Sequence, residues 1–122
     1  MTLHLELADL LEREFNGKLQ GSIERKQDAL IVPVADGVTL TVRYAGAAEY
    51  SLRWTHGGVE AGIDTAPLHH DLATFPNHLH CGDGRVVADP ITDPARTPPD
   101  NLRRLVSALL DDPGRLESGQ AE

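Results

Sequence analysis

The sequence predicts a two-layer α+β domain: an antiparallel meander of about six strands, with an N-terminal and a C-terminal helix packed on one of its faces. Three observations carry this reading. Apolar residues recur at spacings of three and four near both ends of the chain. Between them the period is two, and the alternating runs are joined by short glycine-containing turns rather than by helices. Two amphipathic helices and one meandering sheet then bury their apolar surfaces most simply by stacking.

The first helix is read from Leu3, Leu7, Leu10, Leu11 and Phe15, with Glu6, Asp9, Glu12 and Arg13 between them and Gly17 ending it. Period two begins at Leu19, Gly21 and Ile23 and continues through the apolar run Ala29 to Val34. Ala35, Asp36 and Gly37 supply a turn. Val38, Leu40, Val42 and Tyr44 then alternate with Thr39, Thr41 and Arg43. After the small residues Ala45 to Ala48, Tyr50, Leu52 and Trp54 alternate with Ser51, Arg53 and Thr55, and Gly57-Gly58 turns the chain into Val59 to Asp64.

Thr65 to Pro76 holds two prolines and no sustained period, which marks a surface loop. His78 to Cys81 and Arg85 to Ala88 form a last hairpin across Gly82-Asp83-Gly84. Thr97-Pro98-Pro99-Asp100 has the N-cap threonine, N1 proline and N3 carboxylate of a helix start, and Leu102, Leu105, Val106, Leu109 and Leu110 give that helix one apolar stripe. Residues 1–113 are read as a single domain and 114–122 as a frayed tail.

Composition narrows the function classes. Eleven basic against nineteen acidic residues leave a formal charge of −8, which repels nucleic acid at long range unless the cations are gathered on one face. No apolar run approaches the roughly 20 residues of a membrane helix. The N-terminus lacks the features of a signal peptide, and the single Cys81 rules out an intramolecular disulfide, so a cytoplasmic setting is expected. Glycine-rich phosphate loops, nucleophile elbows and H-E-x-x-H helices do not occur.

Five of the six histidines, at 56, 69, 70, 78 and 80, fall within one short stretch. His78 and His80 stand two apart on an expected strand, so their rings project to one side, close enough to share a metal or a phosphate. His69, His70 or the Asp64 carboxylate completes a site from the loop side. The expected wet face of the sheet collects Thr41, Arg43, Arg53, Thr55, Glu60, Asp64, His78 and His80, with Arg53 on the strand next to the histidines.

Three uses of this set stay open. The imidazoles can simply tie down the proline-bounded loop. They can hold zinc or another divalent transition metal, with His78 and His80 as ligands. Or they can act with Arg43 and Arg53 as the acid, base and cation of phosphodiester cleavage. The bland reading of Arg43 and Arg53 is a solvated ladder paired with Glu60. Trp54 falls in phase with the core, and Cys81 reads as a buried, inert thiol.

The run DTAPLHHDLATFPNHLH, Asp64 to His80, resembles the signature of the TumE family of toxins, and Tyr50 and Arg53-Trp54 resemble it too. Asp64, Ala66, Pro67, His69, Thr74, Phe75, Pro76, His78 and His80 fall on the family pattern, while Thr65, Leu68 and Asn77 depart from it. The resemblance implies a small growth-inhibiting toxin held in check by a helix-turn-helix antitoxin. Its action on RNA or another phosphate-bearing target, and a homodimer, stay open. The competing expectations are a non-enzymatic module that binds a protein through the same loop, and a metal-dependent hydrolase.

Overall fold

The computed structural model describes residues 2–35 and 37–119. Its first helix, α1, spans Leu3–Glu14, capped by the Thr2 hydroxyl, which accepts from the Leu5 amide at 3.3 Å. Seven strands follow: β1 (Glu24–Arg25), β2 (Leu30–Ala35), β3 (Val38–Gly46), β4 (Glu49–His56), β5 (Val59–Asp64), β6 (His78–His80) and β7 (Val86–Ala88). They lie in one antiparallel sheet in chain order, β1 to β7. Helix α2 (Pro98–Asp111) and a short α3 (Pro113–Glu117) close the fold.

The α+β class, the meander and both expected helices are therefore present, with seven strands in place of about six. The first of the two strands expected after α1 is β1, two residues long and placed later than the Leu19 to Ile23 period suggests. Only Glu24 and Arg25 pair with β2; Leu19 and Ile23 instead pack as half-buried side chains against the core. Of the expected turn at Ala35 to Gly37, Asp36 lies outside the described residues, and Gly37 has the positive φ of 70° that favours glycine.

One face of the sheet is apolar. Leu30, Val32, Leu40, Val42, Leu52, Trp54, Ile63 and Leu79 are buried there against Leu7, Leu10 and Leu11 of α1 and Leu102, Leu105 and Leu109 of α2. Each such leucine contributes about 1.5–3 kcal/mol by leaving water. Period two is strict in β4, where Tyr50, Leu52 and Trp54 point inward and Arg53 and Thr55 point out. Trp54 and Cys81 are core residues, as expected. Among the described residues the buried Trp54 indole nitrogen and Tyr44 hydroxyl have no hydrogen-bond partner.

The C-terminal segment differs from the frayed tail expected after Pro113. Asp112 ends α2 and caps α3 at once, its carboxylate accepting from the Gly114 amide at 3.1 Å. Leu116 is buried, the Glu117 carbonyl accepts from the Gly82 amide at 2.8 Å, and the Glu117 carboxylate meets His56 Nδ1 at 2.7 Å. A single leucine and a few polar anchors hold this turn on the β5–β6 end of the sheet. Residues 120–122 lie outside the described residues.

Candidate functional site

The strand register decides which polar side chains meet. Two rows cross the face away from the helices. In one, Thr41 pairs with Arg53, Arg53 with Gly62, and Gly62 with His80. In the next, Arg43 pairs with Ser51, Ser51 with Asp64, and Asp64 with His78. Each row has an arginine on β3 or β4 and a histidine on β6, so the period-two pattern in four separate strands delivers one mixed cluster.

At its centre three groups converge. His78 Nε2 lies 3.0 Å from His80 Nε2 and 3.1 Å from Asp64 Oδ1, and His80 Nε2 lies 3.0 Å from Asp64 Oδ2. Both rings project to one side of β6, while Leu79 between them enters the core. The loop of residues 65–77 folds back over this end of the sheet in successive turns, closed by Leu72 to His69 and Phe75 to Leu72 amide–carbonyl bonds of 3.2 and 3.1 Å. It places His69 edge-on to His78, with ring centroids 4.6 Å apart. His78 is thereby sealed, its side chain 2 % exposed, whereas that of His80 stays 33 % exposed.

Asp64 is the last residue of β5, as the strand read from Val59 to Asp64 places it, and its Oδ1 also accepts from the Ala66 amide at 3.0 Å. Beside it a groove of about 370 Å³ runs between Arg43, Tyr50, Ser51, Thr65 and Ala66. Arg53 does not stand on the strand next to the histidines: β5 intervenes, and the position between Arg53 and His80 is Gly62. A Cβ on Gly62 would come within 3.1 Å of both Arg53 Cγ and the Leu52 carbonyl, so the arginine stem lies directly on the glycine backbone. Among the described residues, neither Arg43 nor Arg53 is in an ion pair; the ladder with Glu60 does not form.

Two of the clustered histidines go elsewhere. His56 binds Glu117, and His70 stacks on Phe75 with centroids 4.3 Å apart. The sequence reading also overlooked what holds the loop in place. Asn77, buried, donates to the Asp89 carboxylate at 2.8 Å and the Thr92 carbonyl at 2.9 Å. Thr92 bonds Asp89 in turn and meets the Tyr50 hydroxyl at 2.8 Å. Asp89 Oδ1 takes the Ile91 and Thr92 amides at 2.7 and 3.1 Å, so a buried carboxylate is fully satisfied. Nothing local marks Asn77 as this hub, because its partners are 12 and 15 residues away.

A helix-backed antiparallel meander whose wet face gathers an aspartate, three histidine rings and two arginines outside any ion pair among the described residues defines a small α+β protein with one charged, histidine-bearing surface. The chain matches the family described as Toxin TumE over residues 4–116, and it belongs to that family. It is accordingly a toxin, and a toxin of this kind implies an antitoxin partner. Comparison with curated proteins and with solved structures gives no significant match. Among the described residues no helix is long and apolar enough to cross a membrane.

Proposed function

We propose that this toxin acts in the cytoplasm on a phosphodiester, with RNA as the substrate class, at the wet face centred on Asp64, His78 and His80. The single observation that carries the reading is the pair of registered rows, which aligns unpaired cations, Arg53 and Arg43, with the Asp–His cluster on one surface. Phosphoryl transfer needs a group that activates the attacking oxygen and a cation for the charge that develops on phosphorus oxygens. Asp64 and the histidines serve the first need, His69 bounds the site on the loop side, and the two guanidiniums serve the second. The overall negative charge disfavours general nucleic-acid coating, so binding depends on this local cationic strip.

Expression without antitoxin tests it. His80→Ala and Arg53→Ala each abolish growth inhibition while circular dichroism shows an intact fold, since both side chains stand on the solvated face. Purified protein cleaves RNA, and both variants lose about 10²-fold or more in rate. A folded His80→Ala protein that still stops growth would sink the reading.

A second reading, a non-enzymatic module that inhibits by binding a protein, is favoured by the loop surface. Leu68 is 73 % exposed and Phe75 37 %. Under that reading a protein partner covers these side chains, and Leu68→Ser weakens growth inhibition while purified wild-type protein leaves RNA uncut.

A further inference from the structure

We propose that Asp64, His78 and His80 form a binding site for one divalent transition ion, zinc by the character of its ligands. The inference deepens the phosphoryl reading, naming what would polarise the attacking oxygen, but it stands on separate observations. The first is a proton count. His78 Nδ1 lies 3.0 Å from the Pro76 carbonyl, which can only accept, so the ring proton sits on Nδ1 and the neutral ring presents a lone pair at Nε2. That lone pair faces Asp64 Oδ1 at 3.1 Å, another acceptor. His80 Nε2 has at most one proton to give, and both Asp64 Oδ2 and His78 Nε2 stand 3.0 Å from it.

With His78 neutral, that single proton is left for the three contacts of this triangle, so two of them lack a proton of their own, and this ring is sealed from water that could separate the lone pairs. A cation at the centre satisfies all three at once. The Pro76 carbonyl is then the outer partner that fixes the ligand's tautomer, as such carbonyls do for metal-bound imidazoles.

The second observation is metric. A tetrahedral ion with arms of about 2.0–2.1 Å holds its ligand atoms about 3.3 Å apart. The two imidazole nitrogens are 3.0 Å apart, and each meets its own Asp64 oxygen, His78 at 3.1 Å from Oδ1 and His80 at 3.0 Å from Oδ2, so the carboxylate can swing one oxygen onto the ion; with one ligand atom taken from each residue, all three lie within 4.8 Å of one another. Two imidazoles and a carboxylate suit zinc and its neighbours, whereas magnesium and calcium prefer all-oxygen shells. Among the described residues this is the one set of three or more histidine, cysteine, aspartate or glutamate side chains whose ligand atoms converge in this way. When bound, such an ion supplies Lewis acidity and an activated water.

The test uses the full chain purified without a histidine tag, stripped by a chelator and titrated with zinc and with cobalt(II). The expected result is about one equivalent bound, with the visible spectrum of cobalt in a low-coordinate nitrogen–oxygen site. His78 is buried and its substitution threatens the fold, so Asp64→Asn and His80→Gln carry the comparison. Each weakens zinc binding by at least about tenfold, while His70→Gln, which lies outside the triangle, binds as wild type.

Wild-type protein that takes up less than about a tenth of an equivalent overturns the site, as does equal binding by all three variants. RNA cleavage that persists in protein shown to be metal-free overturns the ion's part in polarising the attacking oxygen and leaves the phosphoryl reading standing. One equivalent of zinc in a protein inert towards RNA supports the metal site and overturns the phosphoryl reading instead.

Discussion

Arg53 and His80 occupy one row of the sheet with only the backbone of Gly62 between them, so nothing but hydrogen stands under the path from the guanidinium to the imidazole. Two inter-strand spacings separate their Cα atoms by about 10 Å, a gap the two extended side chains can close together over a bare glycine but not over a larger residue.

Gly62→Ala is therefore expected to act on function through Arg53. The new methyl meets Arg53 Cγ and the Leu52 carbonyl at 3.1 Å, and overpacking of this kind costs about 1–3 kcal/mol. Growth inhibition should fall as far as in Arg53→Ala, while thermal unfolding stays cooperative. Wild-type toxicity in Gly62→Ala would show that the arginine does not need to lie on the sheet.

Leu52→Ala separates stability from chemistry. Leu52 is fully buried beside Arg53 in the same strand, and its truncation costs about 2–5 kcal/mol. Urea denaturation should show the lowered midpoint, and toxicity should return at reduced temperature. Arg53→Ala should show the opposite pattern, with toxicity lost at every temperature and the midpoint nearly unmoved.

Asn77→Ala removes the donor shared by Asp89 and Thr92 and leaves a buried carboxylate short of one partner. A loss of about 2–4 kcal/mol is expected. Because Asn77 immediately precedes β6, hydrogen exchange should rise in the 65–77 loop before the rest of the sheet. Uniform protection in that loop would mean that the hub is not what holds it.

Tyr44→Phe should be neutral or stabilising, by up to about 2 kcal/mol, because it deletes a buried hydroxyl that has no hydrogen-bond partner among the described residues. Fluorescence of the single Trp54, itself in the core, reports the midpoint. Clear destabilisation would show that the hydroxyl has found a bond in solution.

Alkaline pH probes Tyr44 together with Tyr50, whose ring lies 5.1 Å from it, centroid to centroid. Burial pushes the Tyr50 phenol up from 10.0 to about 12, partly opposed by its bond to Thr92, and burial raises Tyr44 in the same direction. Below about pH 10 both phenols are neutral folded or unfolded, and their contribution is complete. Between about 10 and 12 the unfolded chain loses the Tyr50 proton and the folded one keeps it. Stability should fall across that window by up to about 3 kcal/mol from Tyr50. A denaturation midpoint that stays constant from about pH 9 to about 11.5 would contradict the burial of this hydroxyl.

Periodicity alone determined the α+β class, both long helices, the meander and the identity of the wet-face residues, because side-chain direction along a helix or strand is fixed by local geometry. The same local rule put His78 and His80 on one side of Leu79, and the quoted motif from Asp64 to His80 matched the family to which the chain belongs. What only the tertiary structure decided was distance across strands and through the loop. It moved Arg53 one strand away and bared Gly62 beneath it, brought Asp64 to 3.1 Å from His78, sent His56 and His70 to other partners, and made Asn77 a buried hub. It also folded the segment after Pro113 onto the sheet through Leu116. Each of these depends on register and on contacts between residues far apart in the chain, whose free energies belong to packing and not to any local sequence pattern.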